Sequence, residues 1–134
     1  MPVIEVFNLY KYDNTIAHEN VLEMNDFEYG SNSNGQYWKF ANGLMICKNT
    51  VWKQYEAKTA GYIGYVVFNN FWSFPQPFID NPFIYASARQ GGTQAWIGNY
   101  VSSVSDVTSI MFYTQQALSG AATNFDCVAI GRWK

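Results

Sequence analysis

The sequence predicts an all-β domain, an antiparallel β-sandwich that assembles with copies of itself. Short runs rich in Tyr, Trp, Phe, Val and Ile recur along the chain, separated by turns containing Gly, Asn, Ser and Asp. Helical periodicity is scarce. Aromatic residues make up 19% of the 134 residues and charged ones only 13%, where charge usually stands near 25%. A surface so poor in charge has to be covered by neutral polar groups, by subunit contacts, or by both.

Taken in order, the best helical candidate is "NTIAHENVLEM", Asn14–Met24, whose apolar spacing is imperfect and which holds the β-branched Thr15, Ile16 and Val21. Residues 25–35, "NDFEYGSNSNG", read as a polar hinge. The domain division follows: residues 1–30 as an N-terminal attachment or neck segment, and residues 31–134 as the sandwich. Gln36–Phe40 and Leu44–Lys48 form a hairpin, because Asn42-Gly43 supplies the positive φ that a tight turn demands. Thr50–Tyr55 and Gly61–Phe68 follow as strands. "FWSFPQPFIDNP", Phe71–Pro82, holds three prolines and reads as an aromatic-rich crossing. Phe83–Arg89, Thr93–Val101, Val107–Thr114 and Phe125–Trp133 complete the strand set.

Within the strands, both faces are apolar. Gly61–Phe68 sets Tyr62, Val66 and Phe68 against Ile63, Tyr65 and Val67. Val107–Thr114 sets Ile110 and Phe112 against Val107, Met111 and Tyr113. A sheet with one wet face alternates apolar and polar. Here the second face is expected to meet a neighbouring subunit, since a two-layer sandwich leaves every strand one outer face.

A net charge of -2 without a Lys/Arg cluster argues against nucleic acid. The runs "YWKF" and "VWKQY" offer only Lys39 and Lys53 among their aromatics. No apolar run approaches the ~18 residues of a membrane span, and the opening "MPVIEVFNLYKYDN" lacks the features of a signal peptide. Cys47 and Cys127 sit in apolar runs, where a disulfide is possible. Buried reduced thiols fit better with a chain made in a cytosol. Two distant cysteines and one histidine do not make a metal site, and no cofactor is expected.

Three blocks carry a family resemblance. "GQYWKFANGLMIC" resembles the aromatic, Lys/Arg, Gly and Cys hairpin that opens the receptor-binding tip domain of bacteriophage tail fibres. "FWSFPQPFIDNPFIYASA" is similar to that family's F-P-x-x-F crossing and the strand after it, and "VAIGRWK" to its terminal strand. The blocks occur in the family's order and span about residues 21–134. The resemblance implies a homotrimeric sandwich of the H-type-lectin-like kind, at the end of a tail fibre, assembled in the host cytoplasm and carried on the virion. It implies binding of bacterial surface polysaccharide or lipopolysaccharide. It says little of residues 1–20, which could dock another tail-fibre or baseplate protein.

Catalysis finds little support. Glycoside hydrolysis needs two carboxyl groups across a cleft, and no context singles out a pair among Glu56, Asp80, Asp106 and Asp126. Nothing orients His18 toward Cys47, and Gly91-Gly92 lacks the Lys-Ser/Thr of a phosphate loop. Sugar binding needs an aromatic platform with fixed amide, hydroxyl or guanidinium partners. "RQGGTQAWIGNY" supplies Arg89, Gln90, Gln94, Trp96, Asn99 and Tyr100, and a second candidate, the tip "YTQQ", holds Tyr113 and Gln115. The competing reading makes Trp96 and Tyr100 core and the amides turn formers. Phe74, Phe78 and Trp133 are assigned to packing. The expected function is non-catalytic host-glycan binding, with a structural trimer cap or a glycan-degrading depolymerase as alternatives.

Overall fold

Strand after strand pairs antiparallel in a computed structural model that describes residues 27–60 and 63–134. The strands are β1 (Phe27–Asn32), β2 (Gly35–Phe40), β3 (Leu44–Ala60), β4 (Ile63–Ser73), β5 (Phe83–Ala88), β6 (Ala95–Ser102), β7 (Asp106–Thr114) and β8 (Leu118–Arg132). One layer runs β1-β2-β3-β8-β5 and the other β4-β7-β6. The layers join where the last residues of β3, Lys58–Ala60, leave β8 and pair with β4. A register shift between Tyr55 and Ala57 marks that corner, as expected of a bulge that bends a strand from one sheet into the other. The architecture is an all-β antiparallel sandwich.

Aromatic rings fill the space between the layers. Phe125 of β8 meets Phe112 of β7 edge-on at 5.0 Å, Phe71 at 5.2 Å and Phe68 at 5.5 Å. Tyr55 of β3 stands edge-on to Phe68 and Phe112. Such T-shaped contacts set the positive ring edge against the negative face, adding about 0.5–1.5 kcal/mol per pair to the burial itself. Met45, Cys47, Cys127 and Ala129 extend the core along β3 and β8 with the strict alternation of a one-sided face. Both cysteines are buried and free, and burial pushes their thiols up to about 12. Cys47 lies opposite Ala129, and Cys127 opposite Asn49. The two are therefore diagonal neighbours, roughly 7–8 Å apart, beyond the usual Cα span of a disulfide.

The three sequence blocks meet at one end of the sandwich, the near end. Gly43 has φ 98° and donates its N–H to the Phe40 carbonyl, closing the β2–β3 turn. Asn42 contributes its side chain instead, accepting from the Leu44 N–H at 3.0 Å. Trp133 donates its indole N–H to that same Phe40 carbonyl at 2.8 Å, and its backbone N–H to the Gly43 carbonyl at 2.9 Å. The crossing attaches here too, through Ile79 N–H to the Arg132 carbonyl. Trp72, Phe74 and Phe78 stack edge-on in sequence beneath it. Phe74 and Phe78 are buried and Trp133 packs against the core, as expected of packing residues.

Four expectations about the elements are corrected. The supposed hinge at residues 25–35 contains β1, because Phe27 lies opposite Phe40 and Tyr29 opposite Trp38 on the neighbouring strand. Residues 27–30 thus share a sheet with the rest. Leu44–Lys48 and Thr50–Tyr55 are one strand, since β8 pairs with both without interruption. Phe71–Ser73 continue β4, so the crossing begins at Phe74. Val107 is interior rather than on the outer face, because a register shift between Asn69 and Trp72 brings buried Trp72 opposite it. The Asn14–Met24 segment, Tyr62 and His18 lie outside the described residues.

Phe125 touches both layers. Phe125→Ala is expected to lower the free energy of unfolding by about 3–5 kcal/mol, read from the midpoint of a urea titration.

Candidate functional site

The far end of the sandwich carries the β5–β6 and β7–β8 connections. Gly91 and Gly92 give the first its freedom, with Gly92 at φ 79° and open space around both. The second turns tightly, with the Thr114 hydroxyl donating to the Gln116 carbonyl at 2.6 Å. Gln115 N–H donates to the Gln94 carbonyl at 2.8 Å, one rung beyond Ala95 opposite Thr114. That rung ties the two connections together. Residues that lie some twenty positions apart in the chain, near Gln94 and Gln115, therefore become neighbours.

Just below, Trp96 lies opposite Tyr113, and Tyr113 opposite Tyr65, in a row across β6, β7 and β4. The Trp96 and Tyr113 rings stack at 5.7 Å with 18° between their planes. Gly98 makes room for this, because a Cβ there would run into the Tyr113 ring. The stack faces outward, and Trp96 is 44% exposed, so neither ring is core. Gln94 and Gln115 are exposed beside it. The Thr93 hydroxyl is enclosed in the same connection, with no hydrogen-bond partner among the described residues. A flat aromatic stack bordered by amides can take the C–H face of a sugar ring and hydrogen-bond its hydroxyl rim.

The structure thus gathers Gln94, Trp96, Tyr113 and Gln115. Asn99 follows on β6 at a register shift between Ile97 and Tyr100, exposed. Tyr100 lies beyond that shift, opposite Ile110, on the edge strand and 39% exposed. Arg89 and Gln90 stand apart. Gln90 accepts from the Tyr55 hydroxyl, which anchors it at the layer boundary. Arg89 turns onto the outer face of the other layer, where Nε and Nη2 grip the two Asp126 oxygens at 2.8 and 2.7 Å. This fork and the Thr50 hydroxyl hold the Asp126 carboxyl below the usual carboxylate range.

Tyr65 is not among the sequence candidates, although period two sets it on one strand face with Ile63 and Val67, the face that the structure turns outward. The four carboxylates are dispersed. Glu56 lies in the β3 corner, Asp80 in the crossing, Asp106 is bound by Ser103 and Thr108, and Asp126 is held by Arg89. Among the described residues no group of three His, Cys, Asp or Glu could hold a metal ion.

No protein-family model and no curated protein matches the chain. Solved structures do. A C-terminal fragment of the P. aeruginosa R2 pyocin fibre aligns over 89% of this chain with a TM-score of 0.50 and 18% identity. An N-truncated R2-type pyocin tail fibre aligns over 93%, again with a TM-score of 0.50 and 18% identity. The chain spans 28% and 43% of those two fibre chains. The fold is therefore one found in these pyocin fibre fragments.

Arg89→Gln removes the guanidinium fork from Asp126. The Asp126 carboxyl should then titrate at higher pH than in the wild type, as read by NMR of its side-chain carbon. An unchanged titration would mean that the pair does not form in solution.

Proposed function

We propose that this chain is the receptor-binding tip of a tail fibre and adsorbs to bacterial surface polysaccharide or lipopolysaccharide without cutting it. The observation that carries the reading is the outward Trp96–Tyr113 stack beside the exposed amides of Gln94 and Gln115. A neutral, flat, amide-bordered surface suits an uncharged ligand. The fold it shares with pyocin fibre fragments supports a place on a tail, and with it a virion location. In this reading the N-terminal segment that precedes β1 docks the tip to another tail-fibre or baseplate protein.

The reading includes a homotrimer. On the outer face of the β1-β2-β3-β8-β5 layer, Tyr29, Trp38, Ile46, Ile130 and Phe83 lie opposite one another in a single row. Phe83 is 83% exposed in the single chain. A five-strand apolar row is costly in water, at roughly 25 cal/mol for each Å² left uncovered, and supports coverage by neighbouring copies. The same row favours a second reading, in which the domain is a structural cap that registers and ends the fibre.

Light scattering at micromolar concentration should give three times the chain mass. A soluble, folded monomer would remove the trimer from the reading. Trp96→Ala should weaken binding to host-cell polysaccharide by roughly five- to tenfold, about 1–1.5 kcal/mol, with melting close to wild type because the ring is half out of the fold. Full-strength binding by that variant would remove the stack from the site, and no binding by the wild type would leave the cap. A fall in polysaccharide viscosity on incubation would make the protein a depolymerase.

A further inference from the structure

We infer that the far half of the β1-β2-β3-β8-β5 outer face is a second carbohydrate-contacting surface, built on Trp52, Asn124 and the Arg89–Asp126 pair. It rests on the reading above for the class of ligand but not for the site.

The register places these groups together. Trp52 of β3 lies opposite Asn124 of β8, and Arg89 donates its backbone N–H to the Asn124 carbonyl at 2.8 Å from the far side. Two residues along, Thr50, Asp126 and Ser87 form the adjacent outer row. Three strands at about 4.8 Å spacing make the surface roughly 10 Å wide, the reach of one long side chain on either side of Asn124. Trp52 is 59% exposed, an unusual position for a ring that is highly buried on average. It is also separate from the Trp96 stack, which stands on the other layer.

The polar groups are fixed and still have bonding capacity. Arg89 and Asp126 hold each other bidentately, and the Thr50 hydroxyl donates to Asp126 Oδ1 at 3.1 Å. The guanidinium has five N–H donors and uses two of them here. The side chains are 60% and 50% exposed, and exposed pairs of this kind contribute little to stability. The fold therefore has small need of them. What they offer is a donor and an acceptor side by side, the arrangement that neighbouring hydroxyls of a pyranose can meet, with the Trp52 ring beside them for its C–H face. An acidic sugar would have to displace Asp126 from the fork, whereas hydroxyl groups bind without displacing it. The ligand class is a neutral hexose or deoxyhexose.

Coverage by a second copy is the competing use of this face, and the charges argue against it. Interface cores are depleted of charge. Arg89 and Asp126 lie in this half, while the apolar row from Tyr29 to Phe83 lies toward the near end.

The test uses the whole chain on a printed panel of neutral hexose and deoxyhexose oligosaccharides, with sialylated and uronate-containing ones beside them. The wild type should prefer the neutral set. Trp52→Ala and Asp126→Asn should each weaken that binding roughly five- to tenfold, with unchanged melting temperature and unchanged mass in solution. Trp52→Ala at full strength, while Trp96→Ala is weak, overturns this surface and leaves the Trp96 stack. The reverse pattern supports this surface and overturns the stack. Wild type bound only to acidic probes, or to none, overturns the inference. So does a Trp52→Ala variant that falls apart into smaller species, because the face would then be a subunit contact.

Discussion

Phe125 meets Phe112 edge-on across the gap between the two layers, with Phe68, Phe71 and Tyr55 closing around the pair. These rings fix which face of each strand is interior. Once Phe125 and Phe112 point inward, period two sends Asn124 and Asp126 outward on one layer, and Met111 and Tyr113 outward on the other. A slip of one residue in either ladder would exchange the two sets. The long β3–β8 ladder, continuous from Leu44 opposite Arg132 to Tyr55 opposite Ala121, makes such a slip costly.

From that arrangement the surface acquires its character. The interior takes up phenylalanines, while several tryptophans and tyrosines, with a polar atom to spend, are left on or near the surface. Trp133 and Trp72 satisfy their indole N–H groups on the Phe40 and Asn34 carbonyls and serve the fold. Trp52 and Trp96 stand on opposite outer faces. With charge at 13% of the sequence, these rings and the amides around them replace the usual ionic coat. A neutral, ring-rich exterior of this kind suits ligands that are themselves uncharged and hydroxylated.

Much of the fold was legible because its signals are local. Asn42-Gly43, the prolines of the crossing and the alternation of Phe125, Cys127 and Ala129 each act within a few residues. The failures were also local in cause. "NDFEYGSNSNG" carries loop composition, yet Phe27 and Tyr29 gain cross-strand partners in Phe40 and Trp38 and the segment is a strand. Thr50–Tyr55 reads as separate from Leu44–Lys48, with the polar Asn49 between the two runs. In the sheet Asn49 lies opposite Cys127, and the ladder runs through it.

The sequence by itself determined the fold class and the succession of strands along the chain, because residue type and period two are properties of a short stretch. Only the tertiary structure decided which groups share a surface. Arg89 sits five residues from Gln94 in the chain, yet it belongs with Asp126, Thr50 and Trp52 on the other layer. The reason is that the chain changes layers between β5 and β6, and a carboxylate within reach of the guanidinium captures it on the side where β5 ends. Tyr113 and Trp96 are stacked for the complementary reason: β6 and β7 pair, and Gly98 leaves the space that one ring needs to lie against the other.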